Sequence, residues 1–172
     1  MDIRDDVYSP SSSSSIVKVI PALVLSDGFT SNCVLGTWDI GDAFLQVDQP
    51  VPRVVRQGKH DFIIPKCLPR QRDASKLWCM FFVETLKKKL GAEVCTEQPC
   101  VLTVGRKAAM ILHVDDVLFM GDESWITNNF LPELQKDFKL SSTVVSRQRG
   151  GSFEFLKVSC GGCQLFPDNC VS

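Results

Sequence analysis

The stretch Leu112 to Met120, "LHVDDVLFM", sets two adjacent carboxylates, Asp115 and Asp116, inside an otherwise apolar run. The flanking segments, "AAMILHV" at 108–114 and "VLFMG" at 117–121, each have the length of a short buried strand, so the whole reads as a hairpin with the acids at its turn. Asp tolerates the positive φ that a tight hairpin turn requires, which makes a plain turn one reading of the pair. Asp-Asp lacks the glycine that fits such turns best, and like charges this close oppose each other's ionisation unless a cation neutralises them. A plain turn and one arm of a cation site both remain open at this point.

Working outward, the clearest helix starts after Asp73. Leu77, Trp78, Phe81, Phe82, Leu86 and Leu90 recur at three-to-four spacing, and Gly91 stands where a capping glycine belongs. A second amphipathic helix is expected after Asp122, carrying Trp125, Ile126, Phe130, Leu134 and Phe138, with a kink at Pro132. "CVLTV" at 100–104 adds a strand, and Cys33 to Trp38 reads as another, with irregular chain from Asp39 onward. Residues 51–69 read as strands or a hairpin broken by Pro and Gly, and "SFEFLKV" at 152–158 as a last strand. Upstream, Ser15 is placed to cap a helix through "IVKVIPALVLS" that ends at Gly28. Strands and helices interleave without regular βαβ alternation. The expected class is therefore α+β, an antiparallel sheet with helices packed on one face.

The chain's 172 residues, 44% hydrophobic and 23% charged, suit one globular domain with a real core. The expected layout is a flexible segment at 1–14, one domain over 15–158, and a Cys/Gly-rich tail at 159–172. Apolar runs stop short of the roughly 20 residues a spanning helix needs. Acidic residues occupy the N-terminus where a signal peptide would carry positive charge, so an intracellular location is expected, cytoplasm or nucleus undecided. The eight cysteines are scattered through apolar segments and read as buried free thiols. Cys160, Cys163 and Cys170 form the one local cluster, for which a metal or redox module is an alternative reading. Net charge is −1, yet residues 51–89 hold ten Lys or Arg against three acids. A local +7 beside an acidic remainder suits a polyanionic ligand, with a solvated face as the bland alternative.

A cation site at Asp115 and Asp116 needs a carboxylate from another strand, and Asp39, at the end of "CVLGTW", qualifies. Hard cations such as Mg²⁺ take a few carboxylates plus water and phosphate oxygens, and paired ions roughly 3.5–4 Å apart serve phosphoryl transfer. "WDIGDAFLQVD" at 38–48, "LPRQRDASKLW" at 68–78 and "ILHVDDVLFMG" at 111–121 resemble, in order and spacing, motifs A, B and C of reverse transcriptases of the copia-type retrotransposon class. "VYSP" through "IPALVLSDGF" resembles the lead-in to motif A, and "FLPELQKDFKL" with "GGSFEFLKV" the segment after the palm. The resemblance spans about residues 7–158 and departs from the family at Pro69-Arg70, where motif B has a glycine, and at His113, where motif C has Tyr.

The resemblance implies a polymerase-palm-like domain with truncated fingers and no complete thumb, acting as an RNA-directed DNA polymerase. Asp39, Asp115 and Asp116 would be the catalytic, metal-binding triad for Mg²⁺ or Mn²⁺, in two-metal transfer of a nucleotide to a primer 3′-hydroxyl. Phe44 and Gln71 would contact the nucleotide, and Arg70, Arg72 and Lys76 the nucleic acid. Expected partners are an RNA or DNA template-primer, deoxynucleoside triphosphates, and the rest of a Pol polyprotein, including integrase and RNase H; no membrane is expected. Activity of a chain of this extent is expected to be weak. The alternative is a non-catalytic nucleic-acid-binding remnant of such a Pol protein.

Overall fold

The computed structural model describes Val17 and residues 32–146, 152–155 and 158–161. The chain enters as β1 (Cys33–Gly41) and passes through a 3₁₀ turn (Ala43–Gln46) into β2 (Asp48–Gln57) and β3 (His60–Lys66). Helix α1 (Ala74–Leu90) is followed by β4 (Glu93–Val94), β5 (Val101–Val104), β6 (Ala108–His113) and β7 (Asp116–Asp122). A helical run then joins α2 (Glu123–Trp125), a π turn (Ile126–Phe130) and α3 (Leu131–Leu134), before β8 (Lys139–Ser146), β9 (Ser152–Phe155) and β10 (Val158–Gly161). Six strands form one sheet in the order β4-β5-β6-β7-β1-β8, antiparallel throughout. The α+β expectation holds.

Strand alternation explains the layers, because successive residues of a strand face opposite sides. On β1, Val34, Trp38 and Ile40 turn toward a cluster that includes Trp78, Phe82 and Leu86 of α1 and Ile126, Phe130 and Leu134 of the helical run. Cys33 and Leu35 turn the other way, joining Ile111, Leu118, Met120, Val17 and Phe155 in a second cluster. Helix α1 and the 123–134 run thus share one face of the sheet, as expected. Trp38 is the pivot of the helix-side core, stacked between Phe119 at 4.1 Å and Phe130 at 4.5 Å.

Gly36 makes that stack possible. It lies opposite Phe119 in the register, and a Cβ there would sit 2.5 Å from Thr143 O and 2.6 Å from Phe119 Cζ. Backbone on one side and a buried ring on the other leave no easy relief. Gly36→Ala is expected to cost about 2 kcal/mol or more, as an overpacked core site does, whereas Gly41→Ala, with its nearest neighbour at 3.5 Å, should be almost neutral. Paired urea denaturation curves measure the difference.

Helix α1 matches its reading closely. Asp73 precedes it, although the Asp73 carboxylate accepts from Gln71 Nε2 and Arg53 Nη2 instead of capping the helix backbone. Gly91 ends it at φ +64°, its N–H reaching Leu86 O and Lys87 O. The second helix departs from expectation. Asp122 Oδ1 caps it by accepting from Trp125 N at 2.8 Å, but the kink expected at Pro132 is replaced by a widened π turn just before it. Leu131 N–H bonds back to Ile126 O, a five-residue step that opens the helix where proline can neither donate nor fit a regular turn.

Other differences concern bounds. β1 runs through Asp39 to Gly41, beyond the expected irregular start at Asp39. β8, a sheet-edge strand, forms in polar "KLSSTVVS", which carries no strand pattern, and "SFEFLKV" divides between β9 and β10, with 156–157 outside the described residues. β10 also crosses the boundary placed after residue 158. Cys33, Cys67 and Cys100 are buried free thiols, Cys79 is buried and Cys95 is half-buried. Segment 1–14, the helix read over 15–28 apart from Val17, and Cys163 and Cys170 lie outside the described residues; Cys160 falls in β10. Among the described residues no helix is long and apolar enough to cross a membrane.

Candidate active site

The pairing of β1 with β7 sets Asp39 directly opposite Asp116, and the pairing of β6 with β7 sets His113 opposite Asp116 on its other side. Ser141 of β8 lies opposite Asp39. Opposed residues of antiparallel strands share a face with Cα atoms about 4.5–5.5 Å apart. Ser141, Asp39, Asp116 and His113 therefore form a row across four strands. The row lies on the face away from α1, since Asp39 alternates with the core-facing Trp38 and Ile40. Asp39 is exposed, and His113, Asp115 and Asp116 are half-buried.

The turn that joins β6 to β7 is Val114-Asp115, so Asp116 is the first residue of a strand and not a turn residue. Val114 takes φ +57°, a conformation that a β-branched residue adopts only where surroundings impose it, at about 1–3 kcal/mol. Two hydrogen bonds impose it here. Trp78 Nε1, reaching from α1, donates to Val114 O at 2.8 Å, and Ile40 N donates to Asp115 O at 3.3 Å. Both helix and neighbouring strand thus fix the turn that carries Asp115. Neither contact is readable from the sequence; the only signal is that a buried Trp needs a partner for its N–H.

Electrostatics follow from the row. Burial raises the pKa of Asp116, and the charges of Asp115 and Asp39 raise it further, with His113 opposing them. The folded protein thus holds this proton more tightly than the unfolded chain does. The stability this residue contributes is therefore fullest at acid pH, below the unfolded carboxylate range, and is lost as pH rises through the raised value. Asp116→Asn removes the carboxylate repulsion, and should melt a few degrees above the wild type at about pH 7, with the gap closing toward about pH 4. Melting curves across that range without divalent cations measure it; a gap that widens toward acid would contradict the assignment.

The remaining expected site residues are placed elsewhere. Phe44 is half-buried in the 3₁₀ turn and packs against the helix-side core. Gln71 Nε2 donates to Gln49 Oε1 at 3.0 Å and Asp73 Oδ1 at 2.8 Å, while its Oε1 accepts from Leu68 N at 3.2 Å. Neither contacts the carboxylate row among the described residues. Arg70, at φ +67°, and Arg72 are exposed between β3 and α1, and Lys76 sits half-buried on the first turns of α1. Half of the basic block is engaged, with Arg53, Arg56, Lys66, Lys87 and Lys89 in exposed or partly exposed ion pairs.

Among the described residues no three His, Cys, Asp or Glu side chains converge as a metal cage. Mg²⁺ does not require one, since one or two carboxylates with water and substrate phosphate complete its shell. The middle of the row offers two carboxylates, flanked by the Ser141 hydroxyl and the His113 imidazole, and the carboxylates carry a like-charge cost that a divalent cation would remove. Oxygen donors and unbalanced negative charge fit a hard cation. Neither the models of known protein families nor the curated proteins contain a match to this chain.

Proposed function

We propose that this chain is a palm-like domain of an RNA-directed DNA polymerase of the reverse-transcriptase type, using Mg²⁺ or Mn²⁺ to transfer a nucleotide to a primer 3′-hydroxyl. One observation supports this reading above the others: Asp39 and Asp116 face each other in register, with Asp115 in the adjoining turn. Those motifs come from segments more than seventy residues apart in sequence, and strand pairing brings them together.

Asp39 and Asp116 would hold the cation from two adjacent strands, with Asp115 in the adjoining turn as a third carboxylate that would have to move to join them. Bound there, the metal supplies charge neutralisation at the phosphate and eases ionisation of the attacking hydroxyl. The protein's own part is positional. β1 and β7, fixed in the middle of the sheet, hold the two carboxylates at constant separation, and Trp78 prevents the turn from relaxing. Asp116 also sets an acid limit, because protonation at its raised pKa removes the charge that attracts the cation. Cation affinity should therefore weaken toward acid pH earlier than an ordinary carboxylate would dictate.

The second reading, a non-catalytic nucleic-acid-binding remnant, is favoured by the engagement of Gln71 and Phe44 in packing and hydrogen bonds of the fold itself. Extension of a labelled primer on an RNA or DNA template separates the two. The polymerase reading predicts slow, template-directed addition that requires Mg²⁺ or Mn²⁺ and stops with chelator. Binding without any addition under either metal supports the remnant.

A further inference from the structure

Among the described residues, strands β2 and β3 pair only with each other, as a two-stranded ribbon outside the main sheet. Its tip is a two-residue turn, Gly58-Lys59, with Gly58 at φ +63°. Its root is fixed. Gln49, only 8% exposed, donates from Nε2 to Ile64 O and Lys66 O, and its Oε1 accepts from Arg53 and from Gln71 at the entrance to α1. A bare two-stranded hairpin is marginally stable in water, so a ribbon held rigidly at its base with apolar side chains left outside implies a ligand for the rest.

The exposed side chains define that ligand. Val55 and Phe62 are a cross-strand pair on one face, 43% and 50% exposed, and the next pair, Gln57 and His60, extends the same face toward the tip. The His60 and Phe62 rings lie 6.4 Å apart. Lys59 at the tip, and Arg70 and Arg72 beyond the root, have no ion pair among the described residues. Rings on which bases stack, with an unpaired cation at the tip and two beyond the root, suit single-stranded nucleic acid. The ribbon itself, residues 48–66, carries four Lys or Arg against two acids, and Arg70 and Arg72 follow it, which adds charge complementarity to a polyanion.

We propose that this ribbon is an arm for single-stranded nucleic acid, holding the unpaired extension of the template with Phe62 as stacking platform and Lys59 as phosphate contact. The inference deepens the proposed function and rests on it for the identity of the strand.

Fluorescence anisotropy on the full chain, with a labelled primer-template bearing a 5′ single-stranded extension and a blunt duplex of the same paired sequence, tests it. The extension should improve affinity about tenfold, and Phe62→Ala should remove most of that gain with blunt-duplex affinity unchanged. Lys59→Ala should weaken the gain and reduce its salt dependence. Both positions are exposed, so melting curves should match the wild type closely. A gain that survives both substitutions overturns the arm, even if nucleotide addition persists. A gain lost in Phe62→Ala, with no nucleotide addition by the wild type, keeps the arm and removes the polymerase reading. Wild type that shows no gain, or a concentration-dependent dimer that Ile63→Ala dissociates while the gain survives Phe62→Ala, assigns the apolar face to another use and overturns the proposal.

Discussion

Asp115→Asn should reduce metal-dependent nucleotide addition to background, a loss of roughly a thousandfold or more if the carboxylate supplies several kcal/mol of charge stabilisation through the metal. The substitution keeps the size of the side chain and its place in the turn. Backbone contacts that fix the turn, from Ile40 N and from Trp78 to the preceding carbonyl, do not involve the Asp115 side chain. Folding stability should accordingly be maintained or slightly improved, since one member of a repelling set is gone. Loss of addition with unchanged melting places Asp115 in the chemistry. Retained addition would remove it from any catalytic role.

Trp78→Ala is expected to be the most destabilising single change among the described residues. The side chain is fully buried, stacks on Phe82 at 5.3 Å and meets Phe138 edge-on at 5.8 Å. Truncating such a residue costs about 3–5 kcal/mol, a large share of a typical domain's 5–15 kcal/mol. Trp78→Phe is more informative, because it retains much of the packing but removes the N–H that holds Val114 O. It should cost about 1–2 kcal/mol and lower the rate of nucleotide addition disproportionately. Trp38→Phe supplies the contrast. Trp38 is equally buried, yet its Nε1 has no hydrogen-bond partner among the described residues. Losing that donor should affect stability through packing alone, with no selective effect on the turn. Chemical denaturation and single-turnover rates for the two variants, side by side, separate the roles.

Much of this was legible in the sequence where pattern and chemistry agreed. The three-to-four spacing from Leu77 to Leu90 and the glycine after it define α1, and the apolar runs around Asp115-Asp116 define β6 and β7. The long-range pairing of Asp39 with Asp116 needed the motif resemblance as a guide, because no local pattern states which strands will be neighbours. What stayed hidden was set by tertiary contact. β8 is an edge strand with a polar start and little alternation, so only its partner β1 makes it a strand. The π turn before Pro132 is an answer to proline that sequence periodicity cannot distinguish from a kink. Val114, a strand-forming residue by preference, takes a left-handed conformation because Trp78 and the neighbouring strand fix the turn. Gln71, expected at the nucleotide, has its amide engaged by Gln49 and Asp73, partners that no sequence pattern announces.

The central claim is that Asp39 belongs to the same cation site as Asp115 and Asp116, across two strands distant in sequence. Electron paramagnetic resonance of Mn²⁺ titrated into the full chain, in the presence of a nucleoside triphosphate, tests this most directly. The account predicts a bound-Mn²⁺ signal in the wild type that weakens by at least about tenfold in affinity in both Asp39→Asn and Asp115→Asn, and that is displaced by Mg²⁺. Wild-type affinity retained in Asp39→Asn would contradict it, leaving the carboxylates opposed in the sheet without a shared metal.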